Sequence, residues 1–124
     1  MYSVLLVEDE LLELEALKNY VRWSSLGIDK VYTARGGRSA LACIAEHLPD
    51  IVITDIQIPG ISGLELAKSI RDEGYLCKIV FLTGYDNFEY AKVAVQVHAE
   101  DYILKPFRVD EIEQLMERII RRIQ

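Results

Sequence analysis

Five polar residues fall directly at the ends of apolar runs, and all five are of kinds that handle phosphate. Glu8 and Asp9 follow YSVLLV, Asp55 follows IVIT, Thr83 closes KIVFLT and Lys105 follows DYIL. Each alone has an ordinary explanation. Asp55 could start a turn or cap a helix, and Glu8 and Asp9 could decorate a helix N-terminus, which favours acids. Thr83 is a common strand residue, Lys105 is of a type usually solvated, and His47 and His98 read as surface residues rather than ligands. Together they describe a reaction. Three carboxylates in one cleft repel one another unless a cation offsets them. Hard oxygen ligands with access to water suit Mg²⁺. A lysine and a hydroxyl facing them match an incoming phosphoryl group, one as a point charge and the other as a donor. The chemistry so outlined is phosphoryl transfer to a carboxylate nucleophile, driven by positioning and charge neutralisation.

Such a site needs a scaffold that ends several strands at one edge. Tyr2 to Val7 reads as a first strand, Lys30 to Ala34 as a second, Ile51 to Thr54 as a third, Lys78 to Thr83 as a fourth and Asp101 to Leu104 as a fifth. Helices are expected between them. The first covers about Glu10 to Trp23, with Leu11, Leu14, Leu17, Tyr20 and Val21 on its apolar stripe. A second, after the Gly36-Gly37 turn, covers about Arg38 to His47, with Leu41, Ile44, Ala45 and Leu48 inward; Pro49-Asp50 breaks it. A tight turn at Pro59-Gly60 and a capping box, Ser62-Gly63-Leu64-Glu65, start a third over about Gly63 to Glu73, burying Leu64, Ala67 and Ile70. A fourth, about Asn87 to His98, is capped by Asp86 with Glu89 three residues on, and carries Phe88, Ala91 and Val95. The fifth, about Val109 to Ile123, has Ile112, Leu115, Met116, Ile119 and Ile120 at helical spacing, opposite a mixed-charge face of Asp110, Glu113, Gln114, Glu117, Arg118 and Arg121. Strands alternating with helices imply a doubly wound parallel sheet, a flavodoxin-like (βα)5 fold of strand order 2-1-3-4-5. In that fold the site lies outside the carboxyl ends of the strands.

Composition narrows the functional classes. The chain has 124 residues, 51% hydrophobic and 27% charged, the balance of one globular domain. No apolar run approaches the ~20 residues that span a bilayer, and Met1-Tyr2-Ser3 lacks a basic signal-peptide start, so a cytoplasmic location with no membrane contact is expected. A net charge of -6 and a pI near 4.9 argue against nucleic-acid binding by this segment. Cys43 and Cys77 lack CxxC spacing and sit in apolar surroundings, the mark of reduced structural thiols.

VEDE at 7–10, DIQIPGISG at 55–63, LTG at 82–84 and YILKPF at 102–107 resemble the receiver domains of two-component response regulators, over nearly the whole chain. The resemblance implies that Asp55 is the phospho-acceptor, receiving its phosphoryl group from a sensor histidine kinase. It implies that Asp9, Asp55 and the backbone carbonyl of Gln57 contact Mg²⁺ directly, with Glu8 acting through water. Lys105 would pair with the phosphoryl group, and its bond to Pro106 would be cis, a form found in only ~5–6% of X–Pro bonds. Glu8 replaces the aspartate commonest there. Gln57 and Tyr85 stand at positions associated with the rate of autodephosphorylation.

By the same likeness, Thr83 would move toward a phosphorylated Asp55, drawing the loop 84–87 with it, and Tyr102 would turn inward as the switch. The helix 4–strand 5–helix 5 face would form the readout surface and, on phosphorylation, a symmetric dimer. RWSSLGID and GYDNFEYAKVAV resemble receivers joined to an AraC-type helix-turn-helix output domain. Residues 1–124 are therefore expected to be the N-terminal receiver of a longer regulator that meets DNA through another domain. Other classes fit less well. A phosphohydrolase with a nucleophilic aspartate needs a second carboxylate shortly after it, and Gln57 stands there. A flavodoxin would meet its phosphate with Glu8-Asp9-Glu10, which would repel it. A pseudo-receiver that only binds partners would not need all five chemically competent positions.

Overall fold

The computed structural model describes residues 1–84 and 88–124, with the side chains of Phe88 and Glu89 left aside. Expectations placed on Tyr85, Asp86, Asn87 and Glu89, including the cap of the fourth helix, lie outside the described residues. The elements run β1 (Tyr2–Val7), α1 (Leu11–Tyr20), a 3-10 turn (Ser24–Leu26), β2 (Ile28–Ala34), α2 (Gly37–His47), β3 (Ile51–Asp55), α3 (Gly63–Asp72), β4 (Lys78–Thr83), α4 (Phe88–Gln96), β5 (Asp101–Leu104) and α5 (Val109–Ile123). All four strand pairings are parallel, in the order β2-β1-β3-β4-β5. This is the expected flavodoxin-like sheet.

The inner strands β1, β3 and β4 are mostly apolar because both faces are covered, whereas the edge strands β2 and β5 carry Asp29, Lys30 and Asp101. Leu5, Val52 and Phe81 point to one side, among the buried residues of α2, α3 and α4. Leu6, Ile53 and Leu82 point to the other, among those of α1 and α5. Four of these six core side chains come from β3 and β4, whose residues Ile51 to Thr54 and Ile79 to Leu82 are all 0% exposed. Asp55 and Thr83 therefore stand at the ends of two strands anchored in close-packed core.

Several boundaries and faces differ from the sequence expectation. Helix α1 stops at Tyr20, with Val21 extended, because the Trp23 indole N–H donates to the Leu17 carbonyl at 3.0 Å and folds the chain back. Leu11 and Tyr20, expected on its apolar stripe, are exposed; Leu14, Leu17 and Val21 are buried. Strand β2 begins two residues earlier than expected, at Ile28, which is buried. In α2 the core residues are Gly37, Ala40 and Ile44. Ala45 is exposed, and Leu48 leaves the helix in a left-handed conformation with φ 48°, which carries its side chain outward. Leu66, not Leu64, is the fully buried leucine of α3. In α4, Tyr90 and Val93 face the core, with Val97 just beyond its end, while Ala91 and Val95 face solvent. Glu113, expected on the outer face of α5, is buried, and its carboxylate takes three hydrogen bonds from Arg22 at 2.8 to 3.1 Å. Cys43 and Cys77 are free thiols. His47 stacks on Tyr32 with ring centroids 4.3 Å apart.

Candidate functional site

Three strands carry the acids and the hydroxyl to one edge. Glu8 and Asp9 follow β1, Asp55 ends β3 and Thr83 ends β4. The register aligns them: Val7 sits beside Thr54, and Asp55 beside Leu82. Beyond Asp55 the chain turns through Gly60, whose φ of 82° suits glycine. It then enters α3 through a capping box, with Ser62 Oγ accepting from Glu65 N and Glu65 Oε1 accepting from Ser62 N, both at 3.1 Å. Gly63 N donates to the Ile56 carbonyl at 2.7 Å, drawing the helix hard against the strand end. The Lys105–Pro106 bond is cis, as the resemblance implies, and Lys105 N donates to the Thr83 carbonyl at 2.8 Å.

Lys105 Nζ lies at the centre of the cleft. Its ammonium donates to Asp55 Oδ2 at 2.7 Å, to Glu8 Oε1 at 2.7 Å and to Glu13 Oε2 at 2.6 Å. Carboxylate oxygens of Glu8, Asp9 and Asp55 lie within 4.8 Å of one another. Asp55 Oδ1 accepts from Gln57 N at 3.2 Å, so the turn-forming role and the site role coexist in one side chain. Glu8 is 0% exposed and Asp55 7%, whereas the Glu13 side chain is 39% exposed. The open part of the cleft measures about 760 Å³ and runs past Asp9, Glu10, Glu13 and Asp55. A smaller recess of about 110 Å³ lies between Asp55, Gln57, Thr83, Gly84 and Lys105, the size of a compact anion. Thr83 is 3% exposed and lines this recess.

Electrostatics follow from burial. Loss of water, then the neighbouring Glu13 carboxyl, push the Glu8 carboxyl up to about 8, against the opposing pull of Lys105. Glu13 moves the other way, below the usual carboxylate range, chiefly through its hydrogen bond with Glu8. Burial disfavours the charge on Lys105, but its bonds to Asp55, Glu13 and Glu8 outweigh that effect and hold the ammonium protonated. The opposed shifts of Glu8 and Glu13 express the crowding of acids around a single ammonium. Three oxygen donors of this hard, anionic type, open to water on one side, fit a magnesium ion.

Sequence reasoning missed Glu13. Nothing in the pattern sets it apart from the other acids of the first helix or shows that Lys105 would reach it. Tyr102 stands apart from the acids, 38% exposed, with its ring edge-on to Tyr90 at 5.0 Å; Tyr90 in turn meets Phe81 at 5.6 Å.

The doubly wound sheet with acids and a lysine at its carboxyl edge defines the receiver class of α/β domains. The chain matches the model of the response regulator receiver domain over residues 4–117, and it belongs to that family. It is 38% identical over 123 residues to an uncharacterized response regulatory protein of Staphylococcus epidermidis, and 36% identical to the transcriptional regulatory protein HptR of Staphylococcus aureus. Each match covers 99% of this chain and 48% of the relative, so the chain spans about half the length of these proteins. Among solved structures, a two component transcriptional regulator AraC from Clostridium phytofermentans superposes with a TM-score of 0.87 at 30% identity, covering 98% of this chain and 94% of that one. The REC domain of AraT, a response regulator from Geobacillus stearothermophilus, gives a TM-score of 0.84 at 29% identity, covering 99% and 98%. The chain is therefore a signalling domain of the two-component type rather than an enzyme in the ordinary sense. Among the described residues no helix is long and apolar enough to cross a membrane.

Proposed function

We propose that Asp55 accepts a phosphoryl group from the phosphohistidine of a sensor histidine kinase. The observation that supports this most is Lys105 Nζ seated between Asp55 and Glu8, beside a recess closed by Thr83. An oxygen of Asp55 attacks phosphorus, the P–N bond to the kinase imidazole breaks, and the ring nitrogen keeps the electron pair. Lys105 holds the Asp55 carboxylate in place before the reaction and pairs with the phosphoryl oxygens after it. Thr83 offers a hydroxyl donor from the far wall. Asp9, Asp55 and the Gln57 carbonyl would hold Mg²⁺ directly and Glu8 would do so through water. A bound Mg²⁺ supplies neutralising charge between the carboxylates and the transferring group.

The aspartyl phosphate then acts as a signal. Thr83 closes on it, and Tyr102 exchanges its exposed position against Tyr90 for an inward one. The α4–β5–α5 face, thus altered, pairs with a second copy or with an output domain. The greater length of the relatives, and the transcriptional regulatory role for which HptR is named, support a larger transcription regulator with a DNA-binding part, acting in the cytoplasm. The test is to incubate the protein with acetyl phosphate and Mg²⁺ and weigh it intact. One added phosphoryl group is expected, absent in Asp55→Asn and in the presence of EDTA. A mass gain that persists in Asp55→Asn would place the chemistry elsewhere.

A further inference from the structure

An ammonium group has three N–H donors, and Lys105 spends all three on carboxylates: Asp55, Glu8 and Glu13. A phosphoryl group on Asp55 brings new acceptor oxygens into the same space. Lysine can serve them only by letting go of a present partner. Glu8 is poorly placed to yield, being 0% exposed with its other oxygen accepting from Glu10 N at 3.3 Å. Asp55 is the bearer of the group and is fixed at Oδ1 by Gln57 N. Glu13 differs from both. It rides on α1, outside the sheet, and its side chain is 39% exposed, so water can replace the lysine there.

We infer that Glu13 is a positioning residue for phosphoryl acceptance: it holds the Lys105 ammonium toward α1 in the unmodified domain, and it is the carboxylate that releases its donor to the phosphoryl oxygens on Asp55. This rests on the phospho-acceptor reading above. Glu13 stabilises the site before transfer and not after it, so it slows acceptance. The position also matters for identity of function, since any side chain too short or too apolar to reach Lys105 would leave the lysine free in advance.

The experiment compares initial rates of acetyl phosphate labelling with Mg²⁺, read by intact mass, in wild type, Glu13→Gln, Glu13→Asp and Glu10→Gln. In the reaction Asp55 takes the phosphoryl group and acetate leaves with the bonding electrons. Glu13→Asp keeps the charge but loses the reach; Glu10→Gln removes a charge from the same cleft without touching Lys105. Both Glu13 variants should label roughly 3–10-fold faster than wild type, the order expected for one partly exposed charge-assisted hydrogen bond. Their Lys105 side-chain ammonium should also exchange faster with solvent by ¹⁵N NMR. A merely structural role would lower the melting temperature and leave both readouts unmoved. If Glu13→Asp behaves as wild type while Glu13→Gln and Glu10→Gln accelerate equally, the effect is general charge and the inference falls with Asp55 chemistry intact. Unchanged or slower labelling in both Glu13 variants overturns it equally. No labelling of the wild type removes the phospho-acceptor reading itself and this inference with it.

Discussion

Gly63→Ala sets helix propensity against packing, and the two give opposite signs. Gly63 is the first residue of α3, where alanine would ordinarily be favoured by up to ~1 kcal/mol. A Cβ there would collide with the Asp55 carbonyl oxygen and lie 2.9 Å from both the Asp55 carbonyl carbon and Ile56 Cα. These are main-chain atoms, held by Gly63 N to Ile56 O at 2.7 Å and by Ile56 N to Leu82 O at 3.1 Å. They cannot rotate aside, so the helix must lift from the strand end. Overpacking costs about 1–3 kcal/mol, and a clash with fixed main-chain atoms belongs in the upper part of that range, about 2–3 kcal/mol; set against a propensity gain of about 1 kcal/mol, the net loss is roughly 1–2 kcal/mol. At ~2.1 cal/mol/K of unfolding entropy per residue, a chain of 124 residues loses roughly 4 °C of Tm per kcal/mol. A fall of about 4–8 °C is expected by calorimetry. Gly37→Ala is the comparison, because its Cβ would meet only the Ile61 side chain, which can turn. A Gly63→Ala protein melting at or above wild type, or Gly37→Ala melting lower than it, would refute the reasoning.

Other expectations follow from the same structure. Glu113 has its folded-state pKa lowered from 4.5 to about 2, first by hydrogen bonds from Arg22. The pair therefore adds stability that is complete above pH 4.5 and fades as pH falls toward about 2; Glu113→Gln should flatten that part of the stability–pH curve in urea titrations. Ser62→Ala removes the acceptor for Glu65 N and should destabilise by ~1 kcal/mol in the same titrations. Leu66→Ala empties a fully buried site and should cost about 2–5 kcal/mol, whereas Leu64→Ala, only half-buried, should cost clearly less. Tyr102→Ala should leave labelling of Asp55 intact but abolish any phosphorylation-dependent change in sedimentation.

The strands β1, β4 and β5 and the helix α5 have the spans their patterns predict, because long apolar or strongly periodic runs admit one arrangement. The five site residues were legible for a related reason: an acid, hydroxyl or lysine directly after a buried strand has only the sheet edge to occupy. What stayed hidden depends on partners distant in sequence. Glu113 looked like a solvated charge until Arg22, 91 residues away, was brought beside it. Glu13 gained its meaning only when Lys105, 92 residues on, reached across the cleft. The faces of α2 and α4 were misjudged because Ala, Val and Leu occur on several sides of each, leaving periodicity to choose between near-equal rotations.

Trp23 is the chain's single tryptophan. It is 5% exposed, its indole is hydrogen-bonded to Leu17, and it packs in the cluster shared with α5 rather than near the cleft. Its fluorescence is thus a natural gauge of whether the domain is intact, with no label to introduce. A spectral change on adding a phosphodonor, without unfolding, would mean that an event at Asp55 had been felt on the opposite shoulder of the molecule.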